Sequence, residues 1–249
     1  MANRTSPVLR MAPETGELTP VQDVATGGKV MPLAVSPDRR FMYAALRSKP
    51  DWSIANYSID AASGMLTHLG NTPAFNSTVN ICTDRTGRYL IAANNPNNYA
   101  NRTGILCISA IGEQGCVQEP YEIFRTPPKL HCARIDPSNR YVFGASCDGD
   151  MIVRYAFDAG TGVLNPDPLP PVLIERKRGP RHLVFHPNNR FMYMVTEYDA
   201  SVYAFRYDVR NGALHEIQIA SAPPPGYQPK ERRHLGVSAD RKSTRLPVT

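Results

Sequence analysis

The stretch GPRHLVFHPNNRFMYMVTE, from Gly179 to Glu197, decides the fold, because it reads as one β-hairpin with polar residues at its open end. Leu183, Val184 and Phe185 make an apolar run ending at His186; Pro187, Asn188 and Asn189 are turn formers; Phe191 to Val195 form a second, aromatic-rich strand. With the turn centred near Asn189, the mirror pairing of an antiparallel hairpin sets Arg181 opposite Glu197. A guanidinium and a carboxylate then share one strand end, with His182 beside them. In isolation such a pair reads as a tie that closes the hairpin.

The hairpin recurs along the chain. MPLAVSPDRRFMYAALR from Met31, VNICTDRTGRYLIAANN from Val79, HCARIDPSNRYVFGASC from His131 and RHLGVSADRK from Arg233 all share its order of apolar strand, turn and basic residue, and in all but the last an aromatic strand follows. The basic residues Arg40, Arg88, Arg140, Arg190 and Lys242 mark a period of about fifty residues. After each of the four hairpins that begin at Met31, Val79, His131 and Arg181 comes a second pair of short strands, for example IVRYAFDAGTGVLNPDP, and SPVLRMAPETGELTPV near the start is one more copy of that second half. Four strands per repeat is the sequence form of a β-propeller blade. The expectation is therefore an all-β, single-domain propeller over residues 1–249, with about four full blades and two partial ones. After Lys242 the due aromatic strand is replaced by STRLPVT, so the ring is expected to be incomplete or altered from there.

Composition agrees with many short strands and turns: 249 residues carry 23 Pro and 17 Gly, with 42% hydrophobic residues. A net charge of +6 favours a small anionic partner through steering. The basic clusters do not alternate with aromatics, which excludes a nucleic-acid groove. The five cysteines lack CxxC spacing, so they read as buried thiols in a reducing compartment and not as a disulfide framework or zinc knuckle. The N-terminus has no apolar leader and no run approaches membrane-spanning length, from which a cytoplasmic protein without membrane attachment is expected.

In a propeller the first strand of each blade lines the central channel, so equivalent positions gather at one mouth. One such position holds Met31, Val79, His131, Arg181 and Arg233; another holds Arg47, Asn95, Cys147, Glu197 and Thr249. Apolar fillers suit a packed channel, whereas His131, Arg181 and Glu197 on adjacent blades are the ingredients of a site. Arg181, permanently protonated, can hold an anion or stabilise an oxyanion; His131 or Glu197 can accept a proton from water. His182 is expected to donate a hydrogen bond from behind, His234 to be its structural counterpart, and His186 to be satisfied in its turn. His68 and His215 belong to outer strands, and Asp38, Asp84 and Asp136 cap hairpin turns.

These repeats, GPRH and its strand-end acid above all, resemble the lactonase-type seven-bladed propellers, which include bacterial 6-phosphogluconolactonase and fungal carboxy-cis,cis-muconate cyclase. The resemblance covers Pro7 to Lys242. It implies a catalytic set in which His131, Arg181 and Glu197 match the family's histidine, first arginine and glutamate, while a second arginine, due where STRLPVT stands, has no counterpart. It further implies a 6-phosphogluconolactonase-like hydrolase. With Glu197 the one carboxylate at the ring positions, no metal or cofactor is expected, and Arg181, His182 and Arg233 are the residues expected to bind the anionic lactone. A carboxymuconate cycloisomerase using the same residues and a non-catalytic binding scaffold are the alternatives.

Overall fold

The structure, a computed structural model, describes residues 4–48, 51–96 and 103–222, and those residues are strand and turn throughout. The chain opens with a two-stranded sheet, β1 (Thr5–Met11) and β2 (Leu18–Ala25), the half-blade expected from the sequence. Four larger sheets follow in chain order. They are β3 (Lys29–Val35) to β6 (Leu66–Pro73) through β4 (Phe41–Arg47) and β5 (Trp52–Ile59); β7 (Thr78–Thr83), β8 (Tyr89–Asn94), β9 (Thr103–Ala110) and β10 (Glu122–Pro128); β11 (Leu130–Ile135), β12 (Tyr141–Ser146), β13 (Met151–Asp158) and β14 (Val163–Pro166); and β16 (Pro180–Phe185), β17 (Phe191–Thr196), β18 (Ser201–Asp208) and β19 (Ala213–Ser221). The third sheet has an interrupted outer edge, since β13 pairs with β14 at one end and with β15 (Val172–Leu173) at the other. His68 on β6 and His215 on β19 lie on outer strands, as expected. The repeat that begins at Arg233 lies outside the described residues.

Each sheet is an antiparallel meander, and its first strand neighbours the first strand of the next: β3 lies against β7, β7 against β11 and β11 against β16. The core is a series of slabs between consecutive sheets. One slab packs Phe143, Ile152 and Cys132 of the third sheet against Leu183, Phe185, Met192 and Tyr203 of the fourth. Another packs Ile91, Leu106 and Ile108 against Ala133, Val142 and Phe157. Face-to-face stacking of this kind buries both sides of a middle strand that lies between two sheets, which is why β8, β9 and β12 read as continuous apolar runs, whereas β17 and β18 of the fourth sheet alternate.

The hairpin turns obey one rule. The residue just before each basic marker has positive φ: Arg39 (62°), Gly87 (75°), Asn139 (61°) and Asn189 (59°). Asp84 and Asp136, fully buried, accept the turn amides: Asp136 takes Ser138 N at 2.7 Å, Arg140 N at 2.8 Å and Tyr141 N at 2.7 Å. Asp136 also receives the Tyr207 hydroxyl of the next sheet at 2.6 Å, so a turn cap doubles as a tie between blades. In the fourth hairpin His186 replaces the aspartate, and its Nδ1 accepts Asn188 N at 3.1 Å.

The register of the decisive hairpin departs from the expected mirror by one position. Leu183 pairs with Met194, Val184 with Tyr193 and His182 with Val195, yet Pro180 pairs with Thr196, so Arg181 is the extra residue of a β-bulge and has no backbone partner opposite. The same shift surrounds Val79, between Thr78 and Asn80, and His131, between Leu130 and Cys132; in the first sheet it falls between Val30 and Leu33 and takes in Met31. The equivalent positions among the described residues, Met31, Val79, His131 and Arg181, thus fall at bulges, which explains how their side chains escape the sheet's in-out alternation.

Of the four positive-φ turn residues, Arg39 is the one that is neither Gly nor Asn, and a long side chain is poorly suited to that backbone. Arg39→Asn is expected to raise stability by about 0.5–1 kcal/mol. A higher urea midpoint at unchanged slope would show it; a lower midpoint would contradict the strain.

Candidate active site at the channel mouth

The sequence GPRH builds the site from backbone constraints. Gly179 has φ of 69°, and a Cβ there would fall 2.6 Å from the Tyr198 ring and 3.1 Å from Cys147 Sγ, so the position excludes a side chain on two counts. Its N–H donates to Asp150 Oδ1 at 2.9 Å and its carbonyl accepts Glu197 N at 2.7 Å. Asp150 also accepts Lys177 N at 2.7 Å, clamping the loop that leads into β16. Arg181 and Glu197 leave this clamp on neighbouring strands.

Glu197 is the centre of the site and only 2% exposed. Its Oε1 accepts Lys129 Nζ at 2.9 Å; its Oε2 accepts Arg181 Nε at 3.2 Å and the Cys147 thiol at 3.5 Å. Lys129 extends the network: its Nζ donates to Tyr198 Oη at 3.2 Å and lies 3.7 Å from Asp148 Oδ1, to which Tyr198 donates at 2.6 Å. Burial pushes the Lys129 ammonium toward the neutral form, but the hydrogen bond to Glu197 and the charges of Glu197 and Asp148 outweigh it and hold the pKa above its ordinary value. Burial, and then the charge of Glu197, push the Cys147 thiol up to about 12, so it donates to the carboxylate and is no nucleophile.

The two histidines are neutral for the same pair of reasons. Burial and then Arg181 hold His131 far below its ordinary value of 6.5, at about 3, and His182 at about 4. Arg181 Nη1 meets His182 Nε2 at 2.9 Å. A guanidinium has no acceptor, so Nε2 accepts and the proton of the neutral ring is on Nδ1. Toward Arg181, then, His182 accepts where a donor was expected. The His131 ring meets His182 edge-on at 5.1 Å between centroids, and the buried Nδ1 of His131 has no hydrogen-bond partner among the described residues.

The structure therefore gathers His131, Arg181, His182 and Glu197 at one mouth, across the boundary between the third and fourth sheets. Arg233 and His234 lie outside the described residues. Lys129, Tyr198 and Asp148 were not anticipated. Lys129 could have been found by reading the repeat two residues before the bulge, where Lys29, Ser77, Lys129 and Gly179 are equivalent. Tyr198 and Asp148 directly follow the ring positions Glu197 and Cys147 and carry no sequence signal of their own.

Residues 6–242 match the family described as lactonase, 7-bladed beta-propeller. The chain is 34% identical over 212 residues to 6-phosphogluconolactonase of Pectobacterium carotovorum, covering 85% of this chain and 61% of that protein. It is 32% identical over 243 residues to the same enzyme of Erwinia tasmaniensis, covering 94% and 70%. Among solved structures, the periplasmic gluconolactonase of Pseudomonas aeruginosa superposes with a TM-score of 0.80 at 20% identity, over 89% of this chain and 65% of that one. A putative 6-phosphogluconolactonase from Bacteroides uniformis superposes with a TM-score of 0.72 at 27% identity, over 86% and 63%. This chain thus spans 61% to 70% of the length of those two relatives. The fifty-residue repeat, the run of neighbouring four-stranded meanders and the match over nearly the whole chain agree: the protein belongs to the lactonase, 7-bladed beta-propeller family.

Proposed function

We propose that this protein hydrolyses an anionic sugar lactone, 6-phosphogluconolactone to 6-phosphogluconate. The observation that carries the reading is a guanidinium locked by a buried carboxylate beside a neutral imidazole whose buried nitrogen has no partner among the described residues. Relatives at 34% and 32% identity that are named for this activity support it. Five free thiols fit a reducing compartment such as the cytoplasm.

The chemistry needs one proton acceptor and one cation. Water attacks the lactone carbonyl carbon while His131 takes its proton; Arg181 faces the oxyanion that develops on the carbonyl oxygen; the ring C–O bond then breaks and the departing oxygen takes the proton back from His131. The product is an open-chain hydroxy acid. Glu197, expected from the sequence as an acid or base, is better suited to positioning, since both its oxygens already accept hydrogen bonds from Lys129, Arg181 and Cys147. It fixes Arg181, and Lys129, the second cation on the same carboxylate, leaves the trio with a net positive charge that suits an anionic substrate. An imidazole with pKa about 3 is a weak base, but part of that depression is the charge of Arg181. The oxyanion that develops beside Arg181 offsets it, so the base strengthens as the reaction proceeds.

With freshly made δ-6-phosphogluconolactone, followed by loss of substrate above the spontaneous rate, Arg181→Ala is expected to lower kcat/KM by about 10²- to 10³-fold. Circular dichroism should remain that of the parent; undiminished turnover in that variant removes Arg181 from the mechanism. Histidine NMR, assigned with His131→Gln, should show the His131 ring neutral down to pH about 4, with its titration moving upward on adding 6-phosphogluconate. Protonation near the ordinary 6.5 in the free protein would contradict the proposed base.

A further inference from the structure

Arg134 lies three residues along β11 from His131, at a position whose equivalents are Ala34, Cys82 and Val184. Those three are small or apolar, so a guanidinium is out of pattern. Its flanking residues Ala133 and Ile135 are buried at 0% and 5%, whereas Arg134, like Cys82 and Val184, is half-buried. β11 is the edge strand of its sheet and lies against β7 and β16, so its open side is the one toward the channel.

The guanidinium is held from one corner. Its Nη1 donates to Asn80 Oδ1 at 3.3 Å and to the Ile81 carbonyl at 3.2 Å, both on β7. Among the described residues no carboxylate lies within ion-pair distance of it, whereas Lys129 and Arg181 share Glu197 and Arg178 holds Glu175 and Asp199. Its ionisable neighbours are the thiols Cys82 and Cys132, which burial keeps protonated, and the His182 ring, which burial and Arg181 keep neutral. A cation withdrawn from bulk water with only neutral neighbours lacks its counter-charge. Asn80 is equivalent to His182, each directly following its bulge, so the guanidinium sits one layer below the His131–Arg181 mouth. At strand rise that layer is roughly 3–7 Å deeper, the reach of a sugar lactone whose charge is remote from its carbonyl.

We infer that Arg134 is the phosphate-binding residue of the channel, receiving the substrate's terminal phosphate while Arg181 faces the lactone carbonyl. The assignment of a sugar lactone rests on the function proposed above; the assignment of a phosphate to Arg134 does not. Bidentate capture of a phosphate is what a guanidinium does better than any other side chain. It divides the labour between two arginines, one for charge recognition and one for the reacting oxygen.

Calorimetry with 6-phosphogluconate, inorganic phosphate and gluconate, on the parent chain, Arg134→Gln and Arg134→Lys, tests the site without any turnover. Glutamine keeps a donor for Asn80 and Ile81 and removes the charge. The expected result is that 6-phosphogluconate binds the parent at least tenfold tighter than gluconate, that Arg134→Gln abolishes this preference, and that Arg134→Lys restores part of it. Inorganic phosphate should compete in the parent and not in Arg134→Gln. A parent that shows no preference for the phosphorylated acid, or an Arg134→Gln variant that keeps it with unchanged melting, overturns the inference. Where the parent is active, the ratio of kcat/KM for phosphorylated over unphosphorylated lactone should fall about tenfold or more in Arg134→Gln. An inactive parent that still loses phosphate preference in Arg134→Gln would refute the proposed reaction and leave the phosphate site standing.

Discussion

A carboxylate at 2% exposure must be paired, and the whole mouth of the channel is arranged around meeting that need for Glu197. Its partners come from two sheets: Lys129 and Cys147 from the third, Arg181 from the fourth. The interaction therefore does two things at once. It ties neighbouring blades at their inner edge, and it fixes the direction in which Arg181 points. Removing the carboxylate would leave two cations facing each other in a half-buried layer, so the geometry of the guanidinium depends on it more than on any contact within β16.

The same low-dielectric layer sets the protonation of its histidines. Arg181 and burial act in one direction on His131 and His182, and the result is a pair of neutral rings beside a permanent cation. The Arg181–His182 contact could not exist with a protonated His182, because neither group would then offer an acceptor. Neutral imidazole is thus required by the packing of the site and not merely permitted by pH.

How much of this was legible in the sequence depends on the scale. The period of about fifty residues fixed the blade, the strand order and the approach of His131, Arg181 and Glu197, because backbone hydrogen bonding repeats with the chain. The register slipped by one residue, because a β-bulge has no compositional mark here: the extra residue is Val in one blade, His in the next and Arg in the last. Lys129 escaped notice for a related reason. The repeat points to its position, two residues before the bulge, but its role comes from a side chain crossing to the neighbouring sheet, which spacing within a repeat does not report. The polarity of the Arg181–His182 hydrogen bond was likewise beyond reach, since it follows from which ring nitrogen meets the guanidinium.

The recurrent bulge separates two jobs that a strand residue usually performs together. Because the extra residue has no opposite number in the ladder, its identity can change without disturbing the pairing on either side. Met31 and Val79 occupy the same geometry as His131 and Arg181. The rim is therefore a row of interchangeable sockets in a fixed frame, and a different chemistry could be installed by exchanging what is plugged into two of them.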